Sequence, residues 1–136
     1  MTYRQLGDSG LRVSAVGIGT NAFSRRVDQD AVGEIMAAAR DVGVTLIDTS
    51  DSYGDPFGAS EEMIGTALKG QRDEFVLATK FSSGQPAHDH GPGGSRRYIV
   101  RAVEDIARRS LKLRRQSFER PGDRLGERPA LHDRRC

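Results

Sequence analysis

Short apolar runs alternating with helix-length amphipathic stretches constrain what this chain can fold into more than any other feature. Val16-Gly17-Ile18-Gly19 reads as one apolar strand, Val44 to Asp48 as a second and Phe75 to Thr79 as a third. Between the first two, Asp28 to Asp41 puts Val32, Ile35, Met36 and Ala39 at i, i+3, i+4 and i+7, which lines one face of a helix. Asp28, Asp30 and Glu34 stand at its start and Gly43 where it should stop, as the polarity of helix ends requires. Ser60 is placed to cap a second helix with Ile64, Ala67 and Leu68 inward, ending near Gly70. Ser95 opens a third pattern, with Ile99, Val103 and Ile106 on one side and arginines around it. The order β-α-β-α-β-α predicts an α/β fold with a parallel sheet and right-handed crossovers. Ahead of it, Tyr3 to Leu6 and Leu11 to Ser14 flank the turn formers Gly7-Asp8-Ser9-Gly10, a hairpin pattern.

With 136 residues the chain can bury one ordinary core. No basic stretch and apolar run follow Met1, and no segment is long and apolar enough for a membrane span, so a cytoplasmic address and no membrane partner are expected. Cys136 has no partner cysteine, which excludes an internal disulfide, and it reads as an incidental exposed thiol. Residues 82–94 are too rich in turn formers for regular structure and read as a long loop. His88 and His90 stand two apart in that loop without further ligands at a closing spacing, so no metal is expected.

Two architectures compete for this pattern, an open doubly wound sheet and a closed barrel. Gly17-Ile18-Gly19-Thr20-Asn21-Ala22 formally matches a dinucleotide fingerprint after a strand, but in that motif the glycines open directly into a helix. Here Phe23 to Val27 intervene, so the match is weak. More informative is a set spread over three strand ends: Gly19-Thr20, Asp48 with Tyr53 five residues on, and Lys80. In a parallel barrel the loops after the strands form the active face, so these groups would share one surface. A tyrosine titrates near pH ~10 and exchanges protons poorly at neutral pH unless its surroundings favour the phenolate. An adjacent lysine ammonium does so, and an aspartate holds that lysine charged and in place. Such a unit could protonate a carbonyl oxygen as hydride reaches its carbon. Singly, Asp48 reads as a loop cap, Tyr53 as a surface aromatic and Lys80 as a solvated charge; it is the combination that points to chemistry.

The same residues carry a resemblance to a known family. Tyr3-Arg4-Gln5-Leu6-Gly7, Ser9-Gly10-Leu11-Arg12-Val13-Ser14, Gly17-Ile18-Gly19-Thr20-Asn21, Ile47-Asp48-Thr49, Tyr53-Gly54, Ser60-Glu61, Ile64-Gly65 and Thr79-Lys80-Phe81 make residues 3 to 113 resemble the aldo-keto reductases. Within that family the similarity is to the bacterial branch that also resembles the potassium-channel β subunits. The resemblance implies a (β/α)8 TIM barrel closed at the bottom by the amino-terminal hairpin, NADPH as hydride donor and a small carbonyl compound as substrate. It implies Tyr53 as general acid with Lys80 and Asp48 as its partners, and Gly19, Thr20 and Asp48 beside the cofactor.

The family pattern also contains a histidine after a fourth strand, in a run such as Tyr-Ile-Asp-Leu, and this chain has none; His132 has no apolar strand before it. Residues 1 to 95 hold 8 basic and 13 acidic side chains, whereas residues 96 to 136 hold 13 and 6. We therefore read 1–113 as the amino-terminal part of an NADP-dependent oxidoreductase domain, and 114–136 as an irregular basic tail with the character of out-of-frame translation, preferred over a nucleic-acid-binding arm. Because a full barrel takes about 250 residues, the expectation is a partial barrel, a hairpin plus about three βα units. Open sheet edges would then favour self-association, and tight NADPH binding by this chain alone is not expected. A regulatory or binding module and an unproductive fragment are the alternative readings.

Overall fold

A computed structural model describes residues 1–81 and 94–111. Strands β1 (Tyr3–Gln5) and β2 (Arg12–Ser14) form the expected antiparallel hairpin, with Tyr3 opposite Ser14. The hairpin docks against the amino end of the main sheet. The Tyr3 hydroxyl donates to the Gly43 carbonyl (3.0 Å), and Ser14 and Thr45 exchange two bonds of 2.9 Å between main chain and hydroxyl.

The main sheet consists of β3 (Gly17–Gly19), β4 (Leu46–Asp48) and β5 (Val76–Ala78), parallel and in chain order. Ile18, Ile47 and Leu77 lie in one register row, flanked by the rows Gly17-Leu46-Val76 and Gly19-Asp48-Ala78. Successive residues of a strand face opposite sides, so the Ile18 row points one way and the two flanking rows the other. The Ile18 side carries the core. Phe23, Val32, Met36, Ala39, Val44, Ile47, Ile64, Leu68 and Phe75 are buried there, with Ile18 and Leu77 packed against them. Full burial of side chains such as Val32, Ile47, Ile64 and Leu68 stabilises by roughly 1.5–3 kcal/mol each.

Helix α1 (Gln29–Asp41) forms as its periodicity predicts. The Asp28 carboxylate caps it by accepting from the Ala31 N–H (2.9 Å), and Val32, Met36 and Ala39 are buried while Ile35 is partly so. Nine residues separate the last glycine of β3 from α1, and Phe23 among them is buried. The fingerprint glycines therefore do not open into a helix, and the dinucleotide match is formal only.

Two local expectations are corrected. Helix α2 (Ala59–Ala67) follows Gly58, so Ser60 lies inside it and does not cap it. The first amides are satisfied by loop carbonyls instead: Ala59 N–H donates to Pro56 (3.0 Å) and Ser60 N–H to Tyr53 (3.2 Å). In α3 (Arg96–Leu111) the buried side is set by Ala102 and Ser110, with Ile99 and Ile106 half-buried, whereas Val103 is 56% exposed. The buried side is the one that packs on α2, where the α3 main chain at Arg109 and Ser110 closes on Gly65. Ser95 does what Ser60 does not, accepting from the Tyr98 N–H (3.2 Å) just before α3. No described helix is long and apolar enough to cross a membrane.

A Cβ at position 65 would fall inside the van der Waals envelope of the Arg109 carbonyl oxygen and 3.2 Å from Ser110 Cα. Gly65→Ala should therefore push α3 off α2 and cost about 1–3 kcal/mol, read as a lower urea midpoint; an unchanged midpoint would refute the close packing.

Candidate active site

The β pleat places the site. Asp48 ends β4 in the row of Gly19 and Ala78, on the side away from the core, and Lys80 leaves the chain two residues after Ala78 towards the same side. The Lys80 ammonium donates to both Asp48 oxygens (2.8 and 2.7 Å) and to the Thr49 carbonyl (2.8 Å). It also stands 5.2 Å from the centre of the Tyr53 ring. The three residues read from sequence as one chemical unit are thus together in space, although Lys80 is 32 positions from Asp48.

Tyr53 owes its place to a tight turn. Its N–H donates to the Ser50 carbonyl (3.1 Å) and its carbonyl accepts from Ser60 at the start of α2. Gly54 then turns with φ +97°, where a Cβ would meet the Ser60 amide nitrogen at 2.7 Å. Only glycine meets both demands without strain. The loop is tied to the one after β3 by Ser24, whose hydroxyl donates to the Asp55 carbonyl (2.8 Å) and accepts from the Asp55 N–H (3.0 Å). Between the two loops lies an open cavity of about 610 Å³ bordered by Arg25, Gly54 and Phe57.

Gly19 and Thr20 end up in different environments. Gly19 is exposed, and nothing lies within 4 Å of where a Cβ would stand. Thr20 is completely buried; its hydroxyl donates to the Asp48 carbonyl (3.1 Å) and accepts from Ser60 (3.0 Å). The Ser60 hydroxyl also approaches Thr49 Oγ1 (3.3 Å), so a hydroxyl network joins the loops after β3 and β4 to α2 beneath the site. Glu61 belongs to this layer. It is wholly buried, with one oxygen accepting from the Thr79 hydroxyl (2.7 Å) and the other from Arg109 Nε (2.8 Å). Ser60 and Glu61 were not marked as functional from sequence, yet a signal existed: Glu61 shares the buried helix face with Ile64, Gly65 and Leu68. A charge at an apolar position needs a partner. Tyr98 at the start of α3 lies near the buried Asp51 carboxylate (3.4 Å) and tilts against Phe81, with ring centres 6.4 Å apart. His88, His90, His132 and Cys136 lie outside the described residues. Among those described, no cluster of metal-binding side chains occurs.

Desolvation is the largest single influence on Lys80 and pushes its pKa down. The hydrogen bond and charge of Asp48, with the charge and hydrogen bond of Tyr53, together outweigh it, and the net displacement is upward from the ordinary 10.5. A raised cationic pKa contributes stability below the ordinary lysine value and loses it as pH climbs through the raised one. Lys80 is therefore a cation throughout the neutral range, and its contribution is lost only as pH rises past the ordinary lysine value. Asp48→Asn should lower the Lys80 midpoint in a carbon-13 NMR titration of its side chain; a midpoint that stays put or rises would contradict the pairing.

The model of the aldo/keto reductase family matches residues 15–114. The aldo-keto reductase YhdN of Bacillus subtilis is 37% identical over 115 residues, covering 80% of this chain and 34% of that protein. A probable voltage-gated potassium channel subunit beta of Oryza sativa is 34% identical, again over 80% of this chain and 34% of its own length. Among solved structures, the holo form of a Bacillus halodurans aldo-keto reductase superposes with a TM-score of 0.69 and 36% identity, covering 82% of this chain and 37% of that one. The chain thus spans about a third of the length of the curated relatives it matches. The three parallel strands and their helices correspond to part of a (β/α) barrel, open and not closed on themselves. On sequence and fold, the chain belongs to the aldo/keto reductase family.

Proposed function

We propose that these residues serve the NADPH-dependent reduction of an aldehyde or ketone to an alcohol, with Tyr53 as proton donor. The observation that carries this reading is the Lys80 ammonium, held by Asp48 and Thr49 and set 5.2 Å from the Tyr53 ring. As the phenol gives its proton to the carbonyl oxygen, negative charge grows on the tyrosine. A fixed cation beside it stabilises that charge without reorganising. Asp48 keeps the ammonium oriented, and the ammonium bonded to both its oxygens offsets the carboxylate charge that would otherwise oppose the developing phenolate.

A nicotinamide cofactor, when bound, supplies the hydride. The surface beside Asp48 suits a planar ring, because Gly19 is exposed, in register with Asp48 and free of neighbours where a side chain would project. In this reading Gly19 and Asp48 face the cofactor, and Thr20, buried beneath them, holds the two strand ends together through the Asp48 carbonyl. The reading takes residues 1–113 as the part of the oxidoreductase domain that handles the proton, acting on a small carbonyl compound in the cytoplasm. The likeness to a plant protein named as a channel β subunit favours a second reading, a binding role for the same site.

Oxidation of NADPH with 4-nitrobenzaldehyde separates the two. Tyr53→Phe should reduce kcat by about 10²–10⁴-fold, the usual contribution of a general acid, with a far smaller change in KM. Turnover that survives the substitution intact would refute the role of Tyr53. NADPH binding without any turnover would support the binding role.

A further inference from the structure

The regular part of β5 ends at Ala78, and Lys80 must still leave the chain on the side of Asp48. The residue between them decides this. The alternation that turns Leu77 and Thr79 towards the helices turns Ala78 and Lys80 away from them, and a slip of one residue would reverse every direction. Main-chain bonds hold the flanking carbonyls: Thr49 N–H donates to Ala78 (2.9 Å) and Asp51 N–H to Lys80 (3.0 Å). What holds the Thr79 side chain is the bond from its hydroxyl to Glu61 (2.7 Å). Glu61 is 0% exposed and is held in turn by Arg109 Nε (2.8 Å).

We propose that Glu61 is a positioning residue of the carbonyl-reducing site: by fastening Thr79 to α2 it directs the Lys80 ammonium onto Asp48 and towards Tyr53. The proposal rests on the reading of those three residues as the proton-handling group. A carboxylate suits the task because it offers two acceptor oxygens, one for Thr79 and one for Arg109, and the guanidinium offsets its charge away from water. Glu61 does not reach the reacting atoms and acts only through Thr79. A purely architectural Glu61 would stabilise the α2–α3 contact and leave the surroundings of Lys80 indifferent to the Thr79 hydroxyl.

The decisive variants are Thr79→Val, which removes that hydroxyl and leaves the Glu61–Arg109 pair intact, and Thr79→Ser, which keeps it. Glu61→Gln is the milder counterpart, since its amide keeps one acceptor oxygen for Arg109 and can hold Thr79 only by reversing that bond, with the amide N–H donating to the hydroxyl. The first measurement is the carbon-13 NMR titration of Lys80 in the whole chain, where the ionisable groups facing it are Asp48 and Tyr53. Loosening Lys80 from Asp48 should lower its midpoint by about half a pH unit or more in Thr79→Val, whereas Thr79→Ser should match the unaltered chain and Glu61→Gln should fall between the two. In the NADPH assay kcat of Thr79→Val should fall about tenfold, with KM within a factor of about two and recovery in Thr79→Ser. A Thr79→Val protein that is folded, by its NMR spectrum, and has an unmoved Lys80 midpoint overturns the proposal. The titration does not depend on turnover, so it is decided separately from the Tyr53→Phe test of the reaction itself. Should Glu61→Gln fail to fold, the comparison of Thr79→Val with Thr79→Ser remains decisive.

Discussion

Ile18, Ile47 and Leu77 stand in one row across the three parallel strands, with Gly19, Asp48 and Ala78 in the next row. Because consecutive side chains of a strand face opposite sides, the register that packs the first row against α1 and α2 also turns the second row away from them. Core and candidate site are therefore two consequences of one pairing. The register is held strongly, since shifting it by one residue would exchange a buried isoleucine for a carboxylate. A weakly specified sheet could not keep Lys80, two residues beyond the partner of Asp48, within reach of that carboxylate.

Beneath the strand ends the structure departs from an apolar core. Thr20, Thr49, Ser60 and Glu61 are fully buried, and each has hydrogen-bond partners from another element. Such a layer gains little net stability, because every bond replaces one to water. Its value lies in specificity: a displaced loop would leave buried polar groups unpaired, which costs more than the bonds return. The three loops after β3, β4 and β5 are thereby locked to one another, and the side chains they present inherit that rigidity. Asp48, exposed though its side chain is, sits above a main chain whose carbonyl accepts from both Thr20 N–H and Thr20 Oγ1 at 3.1 Å. Lys80 gains similarly from its third bond, to the Thr49 carbonyl. This fixes its direction as well as its charge.

Local patterns account for much of what was legible in the residues. The hairpin, the three strands and the body of α1 follow from turn formers and hydrophobic period, because each depends on neighbours a few positions away. Asp48, Tyr53 and Lys80 could be singled out because strand ends are visible in sequence and the active face of a parallel barrel lies there. Ser60 was misread for the converse reason. A serine before an apolar run looks like a cap, but its partners are Thr20 and Thr49, 40 and 11 residues away. Val103 lies exposed although its spacing suits the apolar face, because periodicity locates a stripe of apolar residues without showing which part of it another element covers.

What the sequence determined by itself is the alternation of strands and helices and the chemical types available at each strand end. These depend on short-range periodicity and on the intrinsic properties of Asp, Tyr and Lys. Tertiary structure decided which of those groups meet: the Lys80 ammonium on Asp48, Thr20 withdrawn beneath the site while Gly19 lies open, and Glu61 bound between Thr79 and Arg109. The reason is that these contacts join residues 18 to 48 positions apart. Their formation depends on sheet register and helix packing, quantities no local window of the chain contains.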